Sequence, residues 1–143
     1  MLRAALLLLC VLAMPAHAFD TQHSAWTTLL SQHVHWNADG TASAVDYAGL
    51  VAERPALAAY LAELSALSRS EFDSLPKADQ RAFLINAYNA WTVELILRSY
   101  PKLDSIKDLG SLFSSPWKQR FFTLFGAEQS LDGIEHGLLR GAE

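Results

Sequence analysis

Apolar residues recur at intervals of three and four over much of the chain, which is typical of amphipathic helices. A first helix is predicted over about residues 22–32, because Trp26, Leu29, Leu30 and His33 recur at helical spacing. A second helix begins near Pro55, because proline favours the first turn of a helix. Its inner positions are Leu57, Leu61, Leu64 and Leu67.

The longest periodic segment runs from Pro76 to Tyr100, and Pro101 ends it. Ser70 with Asp73 resembles a capping box for a brief helical turn just before it. Within the long segment, apolar side chains occur on nearly every side of the helix, namely Phe83, Leu84, Ala87, Tyr88, Ala90, Trp91, Val93, Leu95 and Ile96. Because a helix that is apolar all round is typically buried, we predict that it lies at the centre of the domain.

The remaining segments are shorter and leave alternatives open. Residues 37–43 read as a loop, and residues 45–51 fit either a strand or a short helical turn with Tyr47 and Leu50 inward. The apolar runs on both sides of Gly126 fit a β-hairpin or a single strand and turn. Ser130 can cap a last helix with inner positions Leu131, Ile134, Leu138 and Leu139. The predicted fold is a mainly α single domain with a small β element (α+β), built around the central helix.

The first eighteen residues have the order of a secretory signal peptide. Arg3 is followed by an apolar run from Ala4 to Met14 and by Ala16 and Ala18 at Ala-x-Ala spacing. The run is shorter than the roughly 20 residues that a membrane span needs. We therefore expect cleavage after Ala18 and a periplasmic or secreted domain over residues 19–143. A lipoprotein anchor at Cys10 is disfavoured, because Leu9 stands where a small residue is expected.

Cleavage would leave 125 of the 143 residues, enough for one domain. The single cysteine lies in the signal segment, so the mature chain has no disulfide and no thiol nucleophile. Ten basic residues then face fifteen acidic ones, and a net charge of −5 argues against binding to nucleic acid. We expect no cofactor, no metal and no membrane span; the expected ligand is a small molecule or an envelope component.

Two groups of polar residues could carry chemistry. Asn86 and Asn89 are neighbours on one face of the central helix, where the surrounding residues predict burial. They could tie a loop to the helix, or line a polar site. In the last helix, Asp132, His136 and Arg140 follow one another at intervals of four. They could be a solvated ladder of charges or provide an acid–base histidine.

Two further features are weaker. Glu135 is expected to point about 100° away from His136 around an α-helix, and so is no obvious partner for it. His33 and His35 alternate as metal ligands do on strands, but they fall at the end of a predicted helix, where alternate residues face different ways.

The chain resembles the N-terminal portion of a known family. The matching segments, in order, are HSAWTTLLSQHV, VDYAGL, AFLINAYNAWTVELIL followed by YP, SIKDLGSLFSSPWKQRFF and SLDGIEHGLLR. Together they are similar to the domain-of-unknown-function 547 (DUF547) family. The resemblance implies that the characteristic polar residues are Asn86, Tyr88, Asn89, Glu135, His136 and Arg140. The family's domain continues beyond this last helix with strands, a further histidine and a Cys-Pro segment, so we expect a fragment or shortened member.

The family has no settled activity to transfer, and two hypotheses follow. In the first, the exported domain is hydrolase-like: His136 is the base, Asn86 and Asn89 orient the substrate or stabilise an oxyanion, and Glu135 assists. Tyr88 and Arg140 then bind substrate. In the second, the domain is a non-catalytic binding or structural module of the cell envelope. The first hypothesis requires His136 to approach the two amides beside a cleft.

Overall fold

The computed structural model describes residues 18–110 and 115–140. Within them, the helices are α1 (Ser24–His33), α2 (Tyr47–Ala52), α3 (Arg54–Ala66), α4 (Arg69–Ser74) and α5 (Lys77–Leu97), with 3₁₀ turns at Ile106–Leu109 and Pro116–Lys118 and a C-terminal π-helix at Gly133–Leu139. The strands are β1 (Val34–Trp36), β2 (Ser43–Val45), β3 (Phe122–Leu124) and β4 (Ala127–Gln129). This confirms a mainly α fold with a small β element. Apart from Ala18, the expected signal peptide lies outside the described residues.

A β-hairpin joins α1 to α2. Strands β1 and β2 are antiparallel, with Val34 opposite Val45, and the predicted loop connects them. Asp46 ends the hairpin and caps α2, because its side chain accepts a 3.0 Å hydrogen bond from the Gly49 backbone N–H. The ambiguous segment 45–51 is thus the end of a strand followed by a helix. Strand β1 was not predicted.

The short helix α4 confirms the predicted turn but not its cap. Ser68 is the N-cap, and its side chain and that of Glu71 each bind the other's backbone N–H. The prediction of Ser70 and Asp73 was therefore wrong by two residues. Asp73 instead accepts hydrogen bonds from the Arg69 side chain on the same helix. A capping box is defined by spacing alone, so two overlapping Ser-x-x-acid pairs cannot be separated without backbone geometry.

Helix α5 begins after Pro76, as predicted, and ends at Leu97. Phe83, Ala87 and Ala90 have no exposed surface, whereas Ile85 is 45% exposed. The prediction of burial on nearly every side was therefore too broad. Since a helix has only as many buried faces as it has neighbours, α5 is covered where α2, α3 and the π-helix pack on it.

The core lies between α1, α3, α5 and the β3–β4 hairpin. Its fully buried large side chains are Tyr60, Phe83, Leu57, Leu64, Leu124, Leu131 and Ile134. Trp26 stacks on Tyr60 with ring centroids 5.7 Å apart, and Trp91 stacks on Phe122 at 4.6 Å. The first contact joins α1 to α3, and the second joins the β3–β4 hairpin to the central helix, so a single core holds the domain together.

The second hairpin and the last helix complete the fold. Phe125 and Gly126 both have positive φ, at 55° and 75°, as the two central residues of a type I′ hairpin turn require. Of the two alternatives for the segment around Gly126, the structure therefore has the β-hairpin. Ser130 accepts a hydrogen bond from the Gly133 backbone N–H, as predicted for a cap. The helix that follows is a π-helix from Gly133 to Leu139, not the α-helix expected.

Candidate functional site

Helix α5 presents its polar residues on different faces. The π-helix packs against α5, and Leu84 shares a groove with Leu138. Tyr88, one turn after Leu84, lies on this side. At about 100° per residue, Asn89 is turned about 100° from Tyr88 and Asn86 about 160°. The two amides of the NAYN motif therefore do not face the helix that carries His136.

The π-helix fixes the pairing of its charged side chains. His136 Nε2 lies 3.6 Å from Asp132 Oδ1, so the partner expected one turn away is present. Arg140 does not continue this row; its Nη2 donates to Glu135 Oε1 at 3.0 Å. A π-helix bonds residue i to i+5, and this wider turn brings positions 135 and 140 together. The expected pairing of His136 with Asp132 is therefore present, whereas Arg140 pairs with Glu135 and does not extend the ladder of charges.

Tyr88 belongs to the same polar cluster as Glu135. Burial and then the negative charges of Glu135 and Asp132 raise the pKa of the Tyr88 hydroxyl, and a hydrogen bond with the Trp117 side chain opposes this. The charges of both carboxylates act on this hydroxyl across the contact between α5 and the π-helix. The helix that carries the NAYN motif therefore packs against the helix that carries the IEHxxLR motif. We call Tyr88, Trp117, Asp132, Glu135, His136 and Arg140 the polar surface.

The imidazole of the polar surface is open to solvent. The His136 side chain is 48% exposed and its partner Asp132 is 37% exposed. Glu135 and Arg140 are 40% and 65% exposed. Pairs with this much exposure interact through a high dielectric and contribute little to stability. The arrangement can offer hydrogen-bond donors and acceptors to a ligand that arrives from solvent.

The two amides lie elsewhere and are less buried than predicted. Asn86 is half-buried and Asn89 is exposed. Asn89 lines a cavity of about 340 Å³ together with Trp26 and His33 of α1. Within residues 18–110 and 115–140, neither amide side chain has a hydrogen-bond partner. The prediction that both are buried was wrong, because the face of α5 that carries them is only partly covered.

Two histidine contacts were not foreseen. His23 is 4% exposed, and its Nδ1 lies 2.7 Å from the Tyr60 hydroxyl in the core. His33 Nδ1 lies 3.8 Å from Asp46 Oδ2, and the His33 side chain is only 12% exposed. Each contact joins elements that are distant along the chain, so periodicity gives no signal for it. The one local signal for the second contact is the position of Asp46, which caps α2 through its bond to the Gly49 N–H.

Neither metal binding nor membrane insertion is indicated by the described part of the chain. No three His, Cys, Asp or Glu side chains among residues 18–110 and 115–140 are grouped to hold a metal ion. His33 ends α1, whereas His35 lies in β1 and is exposed. Among the same residues, no helix combines the length and the apolar character required to cross a bilayer.

Comparison with known proteins gives one match. The model of a family described as "Protein of unknown function, DUF547" matches residues 72–143, from α4 to the end of the chain. Both characteristic motifs lie in this range. No curated protein and no solved structure matches the chain. Since the family model spans half of the sequence and contains the residues that define the polar surface, the chain belongs to the DUF547 family.

Proposed function

We propose that this protein is an exported binding module of the cell envelope, and that it contacts its ligand through the polar surface. The observation that carries the proposal is the placement of the NAYN residues around α5. Tyr88 faces the π-helix, whereas Asn89 lines the cavity beside His33. The hydrolase-like arrangement needs His136 and the amides around one reacting group, and this separation favours binding.

The geometry of His136 points in the same direction. A general base must lie within hydrogen-bond reach of the proton that it takes, in a site that holds the substrate. Donors that stabilise an oxyanion must converge on the same point in a site shielded from water. His136 is half-exposed beside an exposed carboxylate, and Asn86 and Asn89 lie around the helix from it. These groups suit recognition better than a chemical step.

The chemistry of the polar surface suits a ligand rich in hydroxyl and amide groups. The carboxylates of Asp132 and Glu135 accept hydrogen bonds, and the Tyr88 hydroxyl both donates and accepts. Trp117 adds an aromatic side chain of the amphipathic kind that often lines contact surfaces. The charge of Arg140 is already paired with Glu135. Because this surface is mainly hydrogen-bonding and not strongly cationic, the glycan and peptide of cell-wall polymers are the class of ligand that we propose.

Export is supported by the signal-like segment and by where the core begins. Phe19, the first residue after the expected cleavage site, packs edge-on against His23 and Phe83 with ring centroids 5.3 Å apart in both cases. Cleavage after Ala18 would therefore keep this residue in the core. Expression of the full chain in a bacterial host and sequencing of the exported product should give Phe19 as the first residue. Recovery of the uncleaved chain in the cytoplasm would contradict export.

Binding is tested by sedimentation with purified cell-wall sacculi. We expect the protein to pellet with the sacculi, and Tyr88→Phe combined with Glu135→Gln to reduce the pelleted fraction at least threefold. Glu128→Gln is the matched control, because Glu128 is an exposed carboxylate on β4 outside the polar surface. Equal pelleting of both variants would contradict a role for the polar surface.

The hydrolase-like alternative is tested on the same preparations. Release of p-nitrophenol from p-nitrophenyl acetate should be the same for the wild type and for His136→Asn. If the wild type hydrolyses the ester and His136→Asn and Asn89→Ala each abolish this activity, the two groups act together. The enzyme hypothesis then replaces the binding module.

A further inference from the structure

A cavity lies between α1, the β1–β2 hairpin, α2 and α5. It measures about 340 Å³, near the lower end of the range for small-molecule sites. Most of the lining is apolar, with Leu29, Leu50 and Val93 among the contributing residues. The polar groups are fewer and come from Trp26, His33, Ser43, Asn89 and Thr92. An apolar cavity with a few polar groups is the usual form of a small-molecule site.

The polar groups of this cavity are short of hydrogen bonds. Among residues 18–110 and 115–140, four buried side-chain nitrogen atoms have no hydrogen-bond partner. Three of them belong to residues that line the cavity: Nε1 of Trp26 and both ring nitrogens of His33. Trp26 is only 2% exposed, so its N–H has no access to bulk solvent. A buried polar atom without a partner destabilises the fold, and three unpartnered nitrogens in residues around one cavity indicate a function for it.

Asp46 and Gly49, at the start of α2, hold the His33 imidazole in place. Asp46 Oδ2 lies 3.8 Å from His33 Nδ1, and the backbone N–H of Gly49 holds the same carboxylate. This N–H bond first, and the neighbouring imidazoles of His33 and His35 to a smaller extent, lower the pKa of Asp46 despite the opposing effect of desolvation. A Cβ at position 49 would lie 2.5 Å from His33 Nδ1. Glycine at this position therefore leaves the space that the imidazole occupies.

We propose that this cavity binds a small molecule with an apolar body and one hydroxyl or carbonyl group, which hydrogen-bonds to Trp26 Nε1 and His33. The apolar lining covers the body of the ligand, and the indole N–H donates to its oxygen. The His33 ring donates or accepts at the same oxygen, according to its tautomer. Asn89, at the exposed edge of the cavity, gives a further contact to the polar end.

The test compares benzyl alcohol with toluene, which has the same ring without the hydroxyl group. In ¹H–¹⁵N spectra of the purified protein, benzyl alcohol should shift the indole N–H signal of Trp26 and leave that of Trp117 unchanged. Its affinity should exceed that of toluene at least fivefold, because a site that hydrogen-bonds a hydroxyl discriminates against the analogue that lacks it. Equal binding of the two probes, or no shift with either, would overturn the proposal and leave the cavity to ordered water.

Variants assign the discrimination to individual atoms. Trp26→Phe keeps an aromatic ring beside Tyr60 but removes the donor, and His33→Asn removes the imidazole; each should abolish the preference for benzyl alcohol. His35→Asn is the matched control, since His35 is an exposed histidine on β1 and does not line the cavity. Retention of the preference in His33→Asn would overturn the role of His33. Because the comparison of the two probes uses the wild-type protein, it decides the proposal even if a variant fails to fold.

Discussion

The domain contains two histidine–aspartate pairs of nearly equal length in very different surroundings. His136 and Asp132 are 3.6 Å apart, one turn from each other on a single helix, and the imidazole is 48% exposed. His33 and Asp46 are 3.8 Å apart, at the end of α1 and the cap of α2, and the imidazole is 12% exposed. The first pair is visible in the sequence; the second is created by the hairpin between the two helices. Distance alone therefore says little about the role of such a pair, because burial decides what else the imidazole can contact.

The largest difference between the two pairs should be seen when a methyl group is added beside each. Gly49→Ala places a Cβ against His33 and Asp46, and overpacking of this kind typically costs about 1–3 kcal/mol. Gly137→Ala, beside His136, meets no atom within 4 Å and should leave stability unchanged or raise it slightly. Urea unfolding monitored by circular dichroism measures both. Equal stability of the two variants would mean that the His33 pocket adapts freely.

A smaller difference in stability is expected when the carboxylate of each pair is removed. Asp46→Ala removes the cap of α2 and should lower the midpoint of thermal unfolding by about 3 °C. Asp132→Ala removes only an exposed pair and should change it by less than the error of the measurement. Asp46→Asn keeps a capping side chain without the charge. We expect this variant to stay close to wild type; a loss as large as that of Asp46→Ala would show that the charge beside His33, and not the cap, stabilises the fold.

The smallest expected effect is a dependence of the free energy of unfolding on pH, caused by a third histidine, His23. Burial lowers the pKa of His23 from its usual value of 6.5, and the charges of Asp20 and Asp79 only partly oppose this. Below about pH 6.5 the unfolded chain binds a proton that the folded chain does not, so stability should fall as the pH is lowered. His23→Asn, which tolerates the left-handed φ of 51° at this position, should flatten the slope.

The control for the pH slope is the exposed histidine of the other pair. The slope should persist in His136→Asn, because it is assigned to the buried His23. Parallel profiles for His23→Asn and wild type would contradict the assignment to His23.

Local patterns predicted much of the fold, and their failures have identifiable causes. The starts of α3 and α5 followed from proline, and the hairpin at Gly126 from two apolar runs around a glycine. The cap of α4 was placed two residues late, because Ser68 and Ser70 offer the same signal. The strand β1 was missed, since three residues at the end of a helix give no periodicity of their own. The π-helix was missed because the spacing of its apolar residues also fits an α-helix.

The candidate site was predicted less completely than the fold. The resemblance to DUF547 selected Tyr88, Glu135 and Arg140, and the structure brings these three into one cluster. Asn86 and Asn89, which the resemblance also selected, do not lie beside His136, because neighbouring residues of one motif occupy different faces of a helix. The family model begins at residue 72, so the cavity beside His33 draws on elements outside the matched range as well as on α5.

The sequence by itself determined the positions of α1, α3 and α5, the cap at Ser130, the charge balance and the membership of the family, because each depends on neighbours along the chain. Only the tertiary structure decided which face of α5 meets the last helix, which histidine is buried, and which carboxylate each imidazole contacts. Those choices depend on how separate elements pack, and packing is set by the fit of whole surfaces that no short stretch of sequence contains.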